Sequence, residues 1–230
     1  MWDITKAELA RYIDQTNLRP EATEREITEF VLQSRSYNFR TVAIMTAWVP
    51  LATRLLQGST TSIVASVGFP LGTYPTQSKV TETKWAIKHG RDDLEIDMVM
   101  NLSLLKSHRY KEVEGDIHAV VEAAGGHTTK VIIEVPLLSE EEIIIASMIA
   151  EQAGVDYIKT STGFKAYPEM RASTSQDVRL IRSVVNDRVK IKIAGGVFSL
   201  EQALDAVDVG AHRIGTIAGI PILEALDKLS

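Results

Sequence analysis

The chain contains no cysteine among its 230 residues. Disulfides, thiolate nucleophiles and thiolate metal sites are therefore excluded. No apolar run reaches the roughly 18 residues a membrane-spanning helix needs. The N-terminus, MWDITKAELARYID, has no basic stretch followed by an apolar one, so no signal peptide is expected. Together with the missing cysteines this leads us to expect a cytoplasmic protein. Basic residues form no tract, and the formal charge is −5, from 25 basic and 30 acidic residues. Neither nucleic acid nor an anionic membrane is an expected partner. The five histidines show no H-x-x-x-H spacing, so no dedicated metal site is expected.

Strand-like and helix-like segments alternate from end to end. Short β-branched apolar runs predict strands at 12–16, 41–46, 62–68, 94–100, 129–135, 155–160, 189–194 and 212–216. Between them, Thr23 with Glu26, Ser139 with Glu142, and Ser199 with Gln202 read as capping boxes. They open helices at 23–36, 139–153 and 199–208. Further helices are expected at 5–10, 49–57, 76–89, 106–124, 174–186 and 218–228. Eight strands, each followed by a helix, predict a (β/α)8 TIM barrel. An open doubly wound sheet is the alternative, but the first strand–helix turn carries no G-x-G-x-x-G. No linker or composition shift divides the chain, so one domain over 1–230 is expected.

Strand alternation then sorts the side chains. At 94–100, Leu94, Ile96, Met98 and Met100 share one face; Glu95, Asp97 and Val99 share the other. At 189–194, Lys190, Lys192 and Ala194 oppose Val189, Ile191 and Ile193. At 130–135, Lys130, Ile132 and Glu134 oppose Val131, Ile133 and Val135. Val155, Tyr157 and Lys159 share a parity. With Asp14 on the first strand, the inner face holds several carboxylates and lysines. Buried charge is costly unless paired, and perturbed charges gather at functional sites. A salt-bridge network stapling the barrel is the competing reading for Glu95, Glu134 and Lys190. Lys159 and Lys192 lie near strand C-terminal ends, where barrel active sites form.

A free lysine, pKa about 10.4, is a poor nucleophile at neutral pH. A second ammonium about 5 Å away contributes roughly 3 kcal/mol of repulsion, or about 2 pKa units, and burial lowers the pKa further. A partly neutral lysine can attack a carbonyl, and Asp97 can pass protons through a water. Glycines in STGF, AGGV and GTIAG follow the last three strands. Glycine lets main-chain N–H groups approach an anion closely, as at barrel phosphate sites.

The strings EIDMVMN (95–101), KVIIE (130–134), DYIKTSTGF (156–164), KIAGGV (192–197) and GAHRIGTIAG (210–219) resemble those of deoxyribose-phosphate aldolases. So do IDQTNLRPEAT (13–23) and VASVGFPLGTYPTQSKVTE (64–82). The resemblance runs from about residue 10 to 228. It implies a class I aldolase that joins acetaldehyde to glyceraldehyde 3-phosphate, giving 2-deoxyribose 5-phosphate, with no metal or cofactor. It implies Lys159 as the Schiff-base lysine, Lys192 as the partner that lowers its pKa, Asp97 as a proton relay and Lys130 as a further lysine near the relay. It also implies that Thr160, Thr162, Gly163, Gly195, Gly196, Gly215 and Thr216 line the substrate or its phosphate. A homodimer is expected on the same ground.

The sequence also departs from the family pattern. Phe198 stands where an arginine usually follows G-G-[IV], and Ile217 replaces the serine of GTSAG. Gln15 replaces the usual polar residue of IDHT, and AIMT at 43–46 replaces a CVNP-like string. These changes open a second reading, a related aldolase with a different or unphosphorylated acceptor. A non-catalytic sugar-phosphate binder is the reading from another class, and retention of Lys159, Lys192 and Asp97 argues against it. A Schiff-base dehydratase or transaldolase is a further barrel alternative.

Overall fold

The computed structural model describes residues 4–164 and 169–228. Eight parallel strands close on themselves in sequence order. They are β1 (Ile13–Asn17), β2 (Thr41–Met45), β3 (Ser62–Val67), β4 (Glu95–Val99), β5 (Thr129–Ile132), β6 (Tyr157–Lys159), β7 (Lys190–Ala194) and β8 (Arg213–Thr216). Every predicted strand is present. The open-sheet alternative is excluded because β8 pairs with β1, setting Ile214 opposite Ile13 and Gly215 opposite Asp14.

The helices are α1 (Lys6–Tyr12), α2 (Glu24–Ser36), α3 (Val49–Leu55), α4 (Thr76–His89), α5 (Leu102–Lys106), α6 (Tyr110–Ala124), α7 (Glu140–Gln152), α8 (Ser175–Arg182), α9 (Leu200–Asp208) and α10 (Gly219–Asp227). The three predicted capping boxes form at Thr23, Ser139 and Ser199. Each satisfies N–H groups that the first helical turn leaves without partners. The helix predicted over 106–124 is α6, which begins at Tyr110; α5 lies before it, and His108 between them takes a left-handed φ of 57°. Among the described residues no helix is long and apolar enough to cross a membrane.

Side chains alternate as the strand period requires. Ile63, Ala65, Ile96, Met98, Val131, Ile158, Ile191, Ile193 and Ile214 are buried against the helices. This layer between barrel and helix ring is the main core. Its branched side chains each contribute roughly 1.5–3 kcal/mol on burial.

Helix α4 does more than cover the sheet. Its Lys79 is fully buried, and the ammonium donates to Val99 O (2.9 Å) and Asp116 Oδ2 (2.6 Å) on α6. Asp116 also accepts from Thr76 (2.8 Å). One turn along α4, Glu82 accepts from the Gly68 N–H (2.8 Å) and from Thr46 Oγ1 (2.6 Å). The two charges thus pin the C-terminal ends of β2, β3 and β4 to one helix. Burial lowers the Lys79 pKa, against the pull of Asp116.

A lone buried ammonium is far costlier than a matched pair. We expect Asp116→Ala to lower stability by about 3–5 kcal/mol. Lys79→Met with Asp116→Leu should recover most of that loss. Urea unfolding midpoints at unchanged slope measure both; equal losses in the two variants would show that charge matching is not what this contact supplies.

Candidate active site

Register places the inner side chains in oblique rows, because barrel strands tilt. One row runs through Ser66, Asp97, Lys130, Tyr157 and Lys190. The next, closer to the C-terminal mouth, runs through Val99, Ile132, Lys159, Lys192 and Arg213. The tilt sets Asp97 beneath the two lysines of the second row. Its Oδ2 accepts from Lys159 Nζ and Lys192 Nζ, both at 2.9 Å. Its Oδ1 lies 3.0 Å from Lys130 Nζ.

The network extends outward from there. Lys192 Nζ also lies 2.7 Å from Asp14 Oδ2, and Lys130 Nζ lies 2.6 Å from Glu95 Oε2. Arg213 joins these two carboxylates, donating to Asp14 Oδ1 (2.9 Å) and Glu95 Oε1 (3.2 Å). None of the seven side chains belongs to a residue more than 5% exposed. Lys130, Lys192 and Arg213 match Asp14, Glu95 and Asp97 charge for charge. A protonated Lys159 is the unmatched cation.

The pKa directions follow that count. Burial alone would raise the Asp97 carboxyl, but attraction to Lys130, Lys159 and Lys192 holds it well below its usual range. Asp14 is likewise held low, chiefly by Lys192 and Arg213 overriding burial. Lys130, against three carboxylates, is raised despite its burial. Lys159 goes the other way and falls to about 8. Burial is the largest cause; Asp97 pulls its pKa up and Lys192 pushes it down. The sequence reading ranked repulsion from the second lysine first. Burial outweighs it, and both ammonium nitrogens share Asp97 Oδ2 at 2.9 Å.

Several expectations are revised. β5 ends at Ile132, so Glu134 does not continue its inner face. Glu134 takes a left-handed φ of 57° and turns its carboxylate to the loop after β6. There it accepts from Ser161 Oγ and from the Thr162 N–H (3.2 Å). A left-handed conformation at a residue other than glycine costs about 1–3 kcal/mol. Lys190 keeps the inward parity but lies at the N-terminal rim, exposed, with Nζ 5.7 Å from the Tyr157 ring centroid.

The hydroxyls of Thr160 and Thr216 are engaged with the main chain as braces. Thr160 Oγ1 donates to Ala194 O (3.1 Å) and accepts from the Ala194 N–H (3.0 Å). Thr216 Oγ1 donates to Val197 O (2.6 Å) and accepts from the Ala218 N–H (2.9 Å). Thr162 Oγ1 accepts from the Phe164 N–H, and the Gly163 N–H is taken by Ser161 Oγ, both at 3.0 Å. Gly163 therefore offers no N–H to an anion. Gly195 and Gly196 are needed for close approach, since a Cβ would lie 2.9 Å from Ser161 Oγ at Gly195 and 2.1 Å from Ser173 O at Gly196. Gly215 leaves room for the lysine beside it, since a Cβ there would meet Lys192 Cε at 3.1 Å.

Sequence reading missed Arg213 and Ser161. Alternation across 212–216, which turns Gly215 inward, turns Arg213 inward as well. The other side of the mouth is apolar. Phe69, Val99 and Ile132 form a buried cluster separate from the main core, with Leu18 and Met45 packed on it. Ile132 is in register with Lys159, so this wall stands beside the amine. Among the described residues no group of histidine, aspartate and glutamate could hold a metal ion.

A family model described as DeoC/LacD family aldolase matches residues 9–225. The chain belongs to that family. A deoxyribose-phosphate aldolase of Staphylococcus haemolyticus is 42% identical over 219 residues, covering 95% of this chain and 97% of that one. Among solved structures, the aldolase QR15 superposes with a TM-score of 0.89 at 39% identity, covering 99% of this chain and 97% of the other. The deoxyribose phosphate aldolase of Aeropyrum pernix, described as a tetramer, gives 0.87 at 28% identity over 98% of this chain and 94% of its own. The protein is accordingly an enzyme of the aldehyde-lyase class, acting on small molecules.

The folded pKa of about 8 makes a direct expectation for this aldolase. Reductive alkylation of Lys159 by a small aldehyde and cyanoborohydride should rise about fivefold from pH 7 to 8 and flatten above. An unperturbed lysine would climb about tenfold per unit toward pH 10. Lys192→Met leaves Asp97 to act on Lys159 with less opposition, so the curve should move alkaline by about one unit. Peptide mapping across pH gives both curves, and superimposable curves would remove Lys192 as an electrostatic partner.

Proposed function

We propose that the aldolase works through a Schiff base on Lys159. What carries this reading is one lysine, among several in the barrel, whose pKa falls to about 8 at the mouth end of the network. The neutral Nζ attacks the donor aldehyde carbon, giving a carbinolamine, and loss of water leaves a protonated imine. The imine draws electrons from the adjacent carbon, which loses a proton to become an enamine. The enamine carbon then bonds to the acceptor carbonyl carbon, whose oxygen takes up a proton. Water releases the product and returns the amine.

Asp97 serves this cycle as the anion between Lys159 and Lys192. Its carboxyl is held well below the usual range, so it stores no proton at neutral pH. It accepts hydrogen bonds from Lys159 Nζ and Lys192 Nζ, and as a relay it takes up a proton only in passing. Lys130 and Arg213 fix the carboxylates from below.

The family resemblance supports acetaldehyde as donor and glyceraldehyde 3-phosphate as acceptor, giving 2-deoxyribose 5-phosphate. A second reading, a different or unphosphorylated acceptor, is favoured by Phe198 and Ile217. Both are exposed on the loops where an anion site would lie.

Incubation with acetaldehyde and borohydride should leave an ethyl group on Lys159. An adduct found reproducibly on Lys192, or on neither, would end this assignment. Asp97→Asn should lower turnover about 100- to 10,000-fold while trapping at Lys159 persists. It should also lower the melting midpoint, because three buried cations lose their shared carboxylate. Near-normal turnover in a folded Asp97→Asn protein would move the proton role elsewhere.

A further inference from the structure

Glycine would fit position 134 with less strain than glutamate does. Glu134 has φ 57° and ψ 58°, a left-handed conformation that glycine adopts freely and other residues adopt at a cost. The bend has a local cause. The Ile133 N–H donates to Lys159 O (3.0 Å) and the Val135 N–H to Thr160 O (2.8 Å). In a regular parallel pair, donors two residues apart meet carbonyls two residues apart. Here they meet consecutive carbonyls, so the chain leaving β5 carries one residue more than β6 beside it. Bulges of this kind occur next to active sites and re-aim a side chain. Since glycine would meet the geometry unstrained, what glutamate adds at 134 is its carboxylate.

That carboxylate is buried and faces the segment that follows Lys159. It accepts from Ser161 Oγ, and both of its oxygens accept from the Thr162 N–H (3.3 and 3.2 Å). Ser161 Oγ accepts in turn from the Gly163 N–H (3.0 Å). Ser161 and Thr162 are themselves buried. The same hydroxyl bears on the loop after β7, where a Cβ on Gly195 would come within 2.9 Å of it. One side chain from the end of β5 thus fixes residues 161–163 after β6 and their seat against the loop after β7. A carboxylate is an acceptor only, which suits it to gather a hydroxyl and a main-chain N–H at one point.

We propose that Glu134 is a positioning residue for the aldol step. Through Ser161 and the Thr162 N–H it holds the loop after β6 in the place from which that loop orients the second aldehyde over the carbon nucleophile on Lys159. This rests on the imine at Lys159. The carboxylate acts as an acceptor, not as a proton carrier, because its partners are a hydroxyl and a main-chain N–H that keep their protons. Capture of the first aldehyde does not need it, since the Lys159 ammonium is held from the other side by Asp97. Joining two carbons does need it, because a misplacement of about 1 Å between reacting groups costs about 100-fold in rate.

The test compares Glu134→Gly, Glu134→Gln and Ser161→Ala with the unaltered protein. Acetaldehyde is the donor and glyceraldehyde 3-phosphate the acceptor, and borohydride trapping at Lys159 counts the competent sites. Glu134→Gly relieves the left-handed strain as it removes the acceptor, so its melting midpoint should stay within about 4 °C. Its kcat per trappable Lys159 should fall about 10- to 100-fold, more than KM rises. Glu134→Gln keeps an acceptor oxygen at the same reach and should recover most of that loss. Ser161→Ala should lower kcat in the same way, and combining it with Glu134→Gly should cost no more than the larger single loss, because the two act as one unit. An unmoved kcat per trappable site in the glycine variant would leave Glu134 a role in folding alone. A glutamine variant as impaired as the glycine one would make charge, not hydrogen bonding, the quantity that matters, and additive losses would separate Ser161 from Glu134. Each of these overturns the proposal. If the glycine variant does not fold, the glutamine and Ser161→Ala variants decide. Absence of any acetaldehyde adduct on the unaltered protein is a different failure, that of the imine, and turnover per folded chain in the same variants then decides the role of Glu134.

Discussion

One carboxylate organises the inside of this barrel. Asp97 sits where the tilt of the strands brings three lysines within 3.0 Å of its two oxygens. Barrel interiors are ordinarily filled by branched apolar side chains. Here the middle of the barrel is polar, and it can be so only because nearly every charge has a counterpart. Asp14 and Glu95 balance what Asp97 alone would not, and Arg213 ties them together. The outward faces of the same strands supply the apolar burial that offsets the cost of ordering the chain.

That arrangement was partly legible in the sequence. Period-two alternation placed Asp97, Lys159, Lys192, Lys130, Asp14 and Glu95 on the inner face, because short parallel strands leave no other assignment once their outer residues are read as core. Arg213 obeyed the same rule on β8. Lys190 obeyed it too, yet alternation says nothing about depth, and two residues along β7 separate a buried ammonium from one at the rim. Which effect dominates the Lys159 pKa was likewise hidden, since it depends on Asp97 lying between the two lysines.

Other features lie beyond pattern reading. No sequence rule turns Glu134 into a left-handed bend, so the strand seemed to continue. The hydroxyls of Thr160 and Thr216 looked available until register set them against Ala194 and Val197. Lys79 and Glu82 sit in SKVTE, within the helix expected at 76–89, and no pattern there marks them as buried. Their partners at Val99, Gly68, Thr46 and Asp116 are distant in sequence, and only the packing of α4 over three strand ends brings them together.

The unmatched charge at Lys159 bears on the whole reaction cycle. An ammonium and a protonated imine at the same nitrogen carry the same charge. In the proposed imine cycle, capture of the donor therefore ends with one cation exchanged for another in place, and the surrounding pairs of Asp14, Lys130, Lys192 and Arg213 need not rearrange. From the protonated imine of that proposed cycle, departure of the carbon-bound proton from the barrel lowers the sum by one and leaves the seven side chains balanced. On the proposed mechanism the barrel is thus a rigid dielectric mould whose balanced state coincides with the carbon nucleophile, so its fixed charges favour the step that creates that nucleophile, with no moving part assigned to it.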